Sequence, residues 1–252
     1  MGETSEAATA PLPRWLEPLL DAAQQRAADA WAISERGVQS LELMERAGAG
    51  LAELVTERAP AGRIVVVAGK GNNGGDGLVA ARLLRGAGRE VEVLLPGPVD
   101  QLRGDALANR ERLNGSPPRA FDPSALAGTS AIVDAILGTG FAGEPREPVA
   151  GAIEAINAAA SSGEATVIAC DVPSGVDAST GEVAGCAVRA AATASFAAAK
   201  PGLWISPGKG YAGEISVIEI GIPAGAPVSP SVGLIDSDLV AQLPRRGRES
   251  NK

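Results

Sequence analysis

Arg63-Ile-Val-Val-Val-Ala-Gly-Lys-Gly-Asn-Asn-Gly-Gly-Asp-Gly77-Leu-Val-Ala-Ala-Arg82 passes from a β-branched apolar run, through a glycine loop, into a helix-like run. This order builds a ligand site at the end of a strand. Glycines admit close approach of backbone N–H groups, and the following helix turns its positive end to the same place. Asn72, Asn73 and Asp76 add directional polar groups that glycine cannot supply. Gly69, Gly71 and Gly74 fit G-x-G-x-x-G, but a dinucleotide fold of the dehydrogenase type wants an acidic residue roughly 20 residues on. Here the next strand, Glu90 to Leu95, ends in Leu94-Leu95-Pro96. A P-loop needs Lys and Ser or Thr after its second glycine, and Gly75 and Asp76 stand there instead. Asp76 would repel a phosphate and suits ribose hydroxyls or a helix N-terminus. The plainer alternative is that Asn72, Asn73 and Asp76 cap the helix and fill a turn.

Working outward, apolar strand runs fall at about 63–68, 90–95, 130–136, 165–170 and 214–220, with a further one through Thr193 to Phe196. Helical patterns fall at about 77–87, 101–114 and 147–161. Short β-branched strands alternating with helices predict an α/β, Rossmann-like fold: three α/β/α layers on a mostly parallel sheet buried on both faces. An N-terminal helical extension over about 14–59 is expected, with a break near Gly37, because Leu41, Met44, Leu51, Leu54 and Val55 recur at helical intervals. One domain over 1–244, with its core at about 62–236, is expected, and 245–252 reads as a polar tail or the start of a linker.

Composition narrows the chemistry. The chain has 252 residues, 45% hydrophobic but 3% aromatic, so Ala, Val, Leu and Ile must fill the core. Histidine is absent, which removes Ser-His-Asp triads, Cys-His pairs and histidine zinc sites; acid–base work falls to Asp, Glu, Lys, Tyr or Cys. The net charge of −8 gives no basic footprint for nucleic acid. No apolar run reaches the length of a membrane span, and no signal peptide is evident. Two cysteines, Cys170 and Cys186, suit a reducing compartment, so a cytoplasmic protein is expected.

Ligands of open α/β sheets bind outside the carboxyl ends of strands. Besides the first loop, two more strand ends carry unusual residues. Asp134-Ala-Ile-Leu-Gly138-Thr-Gly140-Phe-Ala-Gly143-Glu144 repeats the glycine spacing and sets Asp134 inside a strand run, where a charge needs a partner. Asp171-Val-Pro-Ser174-Gly-Val-Asp177 follows the strand ending at Cys170. The alternatives are a buried structural carboxylate at Asp134 and an Asx-type turn at Asp171 and Ser174. Lys200 is either a site cation or a solvated lysine before the turn at Pro201.

Taken in order, Gly69-x-Gly-Asn-Asn-Gly-Gly-Asp-Gly77, Asp134-x-x-x-Gly-Thr-Gly140, Asp171-x-Pro-Ser-Gly175 and Lys200-x-Gly202 resemble the NAD(P)H-hydrate epimerases, the YjeF N-terminal domain family. Gly37 through Leu43-Met-Glu-Arg-Ala-Gly48 resembles that family's N-terminal helical region, so the likeness spans about residues 20–235. The resemblance implies a homodimeric isomerase that interconverts the R and S forms of hydrated NADH and NADPH for an ATP- or ADP-dependent dehydratase. It implies that Asn72, Asn73, Gly74, Gly75 and Asp76, with Gly138, Thr139, Gly140, Phe141, Ala142, Gly143 and Glu144, contact the hydrated dinucleotide. Asp171 would bind its reacting end, and Asn73, Asp134 and Ser174 would hold a potassium ion. Hard oxygen ligands suit such an ion. Without histidine, Asp171 is the expected acid/base group, with Lys200 next; Asp171→Asn is expected to keep the fold and lower turnover at least about 10²-fold. Bifunctional relatives begin their dehydratase domain near a basic segment resembling Arg245 to Lys252. The same fold resembles the scaffold domain of mRNA-decapping enhancers, a non-catalytic alternative. A sugar or nucleoside kinase-like enzyme is a third reading, weakened by the missing P-loop.

Overall fold

The computed structural model describes residues 12–13, 15–163, 165–235 and 237–242. The chain runs through β1 (Glu17–Leu19), α1 (Ala22–Ser34), α2 (Ser40–Arg58), β2 (Ile64–Ala68), α3 (Asn72–Gly86), β3 (Val91–Leu95), α4 (Gly104–Glu111), β4 (Arg119–Ala120), β5 (Ala131–Ala135) and α5 (Val149–Ser161). It continues through β6 (Thr166–Cys170), β7 (Ala192–Phe196), α6 (Lys209–Ala212), β8 (Glu214–Ile218), β9 (Val232–Leu234) and α7 (Ser237–Gln242).

Seven strands form one sheet in the order β4-β3-β2-β5-β6-β7-β8, and each neighbouring pair is parallel. Why β2 reads as an unbroken apolar run is plain from its packing. Ile64, Val66 and Ala68 join Leu51, Val55, Leu78 and Leu84 of α2 and α3 on one face. Val65 and Val67 join Ile153 and Ile156 of α5 on the other. A strand covered on both faces has no use for polar alternation.

The strand order reverses between β2 and β5. From β2 the chain moves outward to β3 and β4, then returns to β5 and moves the other way. Ala68 pairs with Ala135, and the Gly69 N–H donates to the Ala135 carbonyl, so the loops leaving these two strands start side by side. A crevice opens at such a reversal because the connections diverge.

Three sequence expectations need correction. The helical extension does not begin near residue 14: residues 17–19 form β1, paired antiparallel with β9 through Glu17–Leu234, Pro18–Gly233 and Leu19–Val232. The partner lies more than two hundred residues away, which local periodicity cannot register. The expected core range of 62–236 also overshoots, because the parallel sheet ends with β8 and β9 belongs to this separate pair. The third correction concerns α3, which starts at Asn72 and not near 77, so Asn72 to Asp76 are helical. The glycines that suggested a loop are there for close packing: a Cβ at Gly74 would fall 1.9 Å from the Gly69 carbonyl oxygen. The tail at 245–252 lies outside the described residues.

Candidate active site

A cleft of about 860 Å³ lies at the strand reversal, lined by the ends of β2, β5 and β6 and by the N-terminal helices. Asp171, the residue after β6, forms part of its floor. Its backbone is left-handed, with φ 67°, uncommon for a residue other than glycine. Such strain collects at functional sites. The Asp171 N–H donates to the Ala194 carbonyl at 2.7 Å and ties the turn to β7.

Both carboxylate oxygens of Asp171 are engaged. Oδ2 accepts from the Thr139 N–H at 2.8 Å and from the Thr139 hydroxyl. Oδ1 faces Lys200 Nζ at 2.7 Å. Lys200 is fully buried, so the solvated-lysine alternative fails. Its Nζ also donates to Ser195 Oγ at 3.1 Å and to the Phe196 carbonyl at 2.7 Å. Three acceptors match the three protons of an ammonium. Burial alone would raise the Asp171 carboxyl, but the Lys200 charge, with hydrogen bonds from Lys200 and Thr139, outweighs it and holds the group below its ordinary value. Asp171 is thus a carboxylate fixed in place by a committed cation.

Asp134 and Ser174 lie beneath the cleft and do not line it; both are fully buried. Asp134 Oδ1 accepts from Ser174 Oγ at 2.5 Å and from the Ile136 N–H at 3.3 Å, and Oδ2 accepts from the Ser174 N–H at 2.8 Å. Among the described residues no cation pairs with Asp134. Burial raises its carboxyl to about 6, against the hydrogen bonds from Ser174 and Ile136. Ser174 Oγ also receives the Leu137 N–H at 2.9 Å, which ties the loop after β5 to this pair.

Asn73 reaches the same loop from the other side. A Cβ on Gly138 would meet Asn73 Oδ1 at 2.9 Å. Asn73 is buried, and neither polar atom of its side chain has a partner among the described residues. A buried orphan amide is costly unless something outside the protein chain satisfies it.

Of the other residues expected to touch a ligand, Asn72, Asn73, Asp76, Gly138, Thr139, Gly140 and Phe141 line the cleft. Gly74 and Gly75 do not: the first abuts Gly69 and the second abuts Met44 of α2. Ala142, Gly143 and Glu144 also lie off the lining, and the Glu144 side chain sits against Gly185. Cys170 is fully buried, and burial pushes its thiol well above its usual range, as for an inert core cysteine.

The sequence predicts a helical extension here but marks no site residue on α1. Gln25 and Asp29 line the cleft, and Gln25 Nε2 donates to Asp29 Oδ1 at 2.9 Å. Burial raises the Asp29 carboxyl; Gln25 and Lys200 oppose that rise, and Asp171 adds to it. Nothing in the spacing of α1 marks these residues, because polar positions of an amphipathic helix ordinarily face water.

Comparison with known proteins finds relatives over most of the chain. The family described as YjeF-related protein N-terminus matches residues 40–202. An NAD(P)H-hydrate epimerase of Pirellula staleyi is 40% identical over 218 residues, covering 82% of this chain and 94% of the relative. One from Limosilactobacillus fermentum is 40% identical, covering 81% and 97%. A bifunctional NAD(P)H-hydrate repair enzyme of Coxiella burnetii is 39% identical over 86% of this chain but 45% of its own length. The crystal structure of yeast ynu0 shares the fold, with TM-score 0.67 and 24% identity over 92% of this chain and 96% of that one. A match over residues 40–202 together with relatives of this identity and coverage places the chain in the YjeF-related protein N-terminus family.

Proposed function

We propose that this chain is an NAD(P)H-hydrate epimerase, an isomerase that interconverts the R and S forms of hydrated NADH and NADPH. The observation that carries the reading is the Thr139–Asp171–Lys200 constellation on the floor of a cleft at the sheet's reversal. It occurs in a chain 40% identical to relatives bearing that name.

The hydrate carries a hydroxyl on the ring carbon beside the ring nitrogen. Inversion needs a C–O or C–N bond to break and re-form from the other face, with proton transfer either way. Asp171, ionised and held between Thr139 and Lys200, is suited to take a proton from the attacking oxygen. Lys200 keeps Asp171 charged and oriented.

Residues at and beneath the cleft floor fit a potassium ion. The orphan carboxamide oxygen of Asn73, the uncompensated carboxylate of Asp134 and the hydroxyl of Ser174 are hard oxygen donors around one loop. A cation there would neutralise Asp134 and steady Leu137 to Thr139, which positions Asp171. Among the described residues no cluster of three or more His, Cys, Asp or Glu forms a divalent site.

Homodimer formation rests on the family resemblance; action ahead of an ATP- or ADP-dependent dehydratase is supported by that resemblance and by bifunctional repair enzymes among the relatives. The chain covers 45% and 39% of two such relatives. A cytoplasmic setting is supported by two free cysteines, and no described helix is long and apolar enough to cross a membrane.

The test is consumption of the R hydrate. The purified chain is mixed with R and S hydrates of NADH, an S-specific dehydratase and ADP. Loss of the R form well above the spontaneous rate is expected; a rate equal to the blank would overturn the reading.

A further inference from the structure

Two carboxyls on the cleft floor have opposite surroundings. Asp171 is neutralised by Lys200 and hydrogen-bonded at both oxygens. Asp76, in the second turn of α3, is 8% exposed and lines the same cleft. Among the described residues its carboxyl has neither an ion-pair partner nor a hydrogen-bond donor. The charged and titratable groups around it come from four directions: Asp29 of α1, Asp105 of α4, Asp171 with Cys170 at the end of β6, and Lys200 after β7. Lys200 cannot serve Asp76, because its protons already go to Asp171, Ser195 and Phe196. Burial above all, then the charges of Asp171 and Asp29, hold the Asp76 carboxyl well above its ordinary value; Lys200 opposes and Asp105 adds. Two carboxyls pushed apart in one pocket divide naturally into an acid and a base.

We propose that Asp76 is the general acid of the epimerisation. The inference rests on the epimerase reading. Asp76 gives its O–H proton to the hydroxyl on the carbon beside the ring nitrogen. The C–O bond breaks, the nitrogen lone pair forms a C=N bond, and water leaves with the hydroxyl electrons. The ring is then a cation flanked by two carboxylates, Asp76 and Asp171. A water adds to the opposite face of that carbon, the C=N electrons return to nitrogen, and Asp171 takes the surplus proton. Asp76, the stronger base of the two, recovers the proton through the site, so the hydrate is neutral again and nothing is oxidised or reduced.

The assay is the coupled consumption of the R hydrate, followed as kcat/KM from about pH 5 to about pH 9 for wild type, Asp76→Asn and Asp76→Glu. Wild type without acceleration would remove the epimerase reading itself. With wild type active, Asp76→Asn is expected to lose at least about 10²-fold in kcat. Its affinity for the hydrate, measured by equilibrium dialysis, should stay near the wild-type value. The wild-type fall in rate on the alkaline side should vanish, since the acid form is lost as pH rises. Asp76→Glu should keep part of the turnover and move that limb. An Asp76→Asn enzyme within about threefold of wild type in kcat, or a loss confined to KM with the alkaline limb intact, would overturn the assignment. Carboxyl carbon NMR gives a check independent of turnover. The signal that disappears or moves in the variants should titrate above the ordinary aspartate range in wild type, and titration within that range would sink the proposal.

Discussion

At the scale of single residues, Asp171 and Lys200 must be considered together. Lys200 is wholly buried and Asp171 nearly so. Asp171→Asn removes the carboxylate that is ion-paired with the ammonium, so the sequence-based expectation of an intact fold is too simple. Breaking a buried pair from one side costs about 3–5 kcal/mol, whereas replacing both partners by well-packed apolar groups of similar volume is often close to neutral. Asp171→Asn should therefore lower Tm as well as turnover, and adding Lys200→Met should restore most of the Tm but none of the activity. Thermal melts alongside the epimerase assay check this; a double variant no more stable than Asp171→Asn would deny the pair its energetic role. The pH dependence follows the same pair. The folded Asp171 carboxyl lies below its unfolded value. Its stabilisation is complete above the ordinary carboxylate range, about pH 4, and is lost as pH falls through the lower folded value. Wild type should lose more stability over that acid range than Asp171→Asn.

At the scale of elements, α1 matters more than its sequence suggests. Asp21 caps it, accepting from the Ala23 and Gln24 N–H groups, while Gln24 Oε1 accepts from the Asp21 N–H in a reciprocal capping box. The same end is anchored by the Ala22 N–H to Ser179 Oγ at 3.0 Å. Asp21→Ala should cost about 0.5–2 kcal/mol. Because α1 carries Gln25 and Asp29 into the cleft, the variant should raise KM more than it lowers kcat, a split that steady-state kinetics would reveal. An unchanged KM would mean that α1 is only a cover. The capping box could be read locally in Asp21-Ala-Ala-Gln24, as could β2, whose apolar run is buried on both faces. The function of α1 could not, because what holds its start is tertiary: the Ala22 N–H donates to Ser179, 157 residues away, next to the distant β1–β9 pairing. The start of α3 escapes local pattern for a related reason. Gly74 and Gly75 weaken helix propensity locally, and the packing against Gly69 and Met44 that demands them is tertiary.

At the scale of the whole molecule, the parallel sheet brings residues far apart in sequence to one edge. Asn73 follows β2, Asp134 lies in β5 and Ser174 follows β6, strands that are consecutive neighbours in the sheet. The repeated strand-end chemistry made this convergence legible, and the place of Asp134 inside an apolar strand run pointed to its burial; the burial of Ser174 below the cleft was not legible, since spacing does not reveal depth. The fold thereby places, against the loop that fixes Asp171, a carboxylate and an amide that have no cation and no hydrogen-bond partner, respectively, among the described residues. Potassium should stabilise such an arrangement, because an ion that binds only the folded state adds stability by mass action, about 2.7 kcal/mol at a concentration 100 times its Kd. Wild type in potassium chloride should melt higher than in choline chloride of equal ionic strength, and should turn over faster. Asp134→Asn removes the charge that needs an ion while keeping the size of the side chain, so its Tm and turnover should no longer depend on potassium. Equal ionic strength matters, because general screening would otherwise imitate the effect. If wild type melts at the same temperature in both salts, the oxygen cluster binds no potassium, and Asp134 would then act only by tying Ser174 and the Leu137 loop to the floor of the cleft.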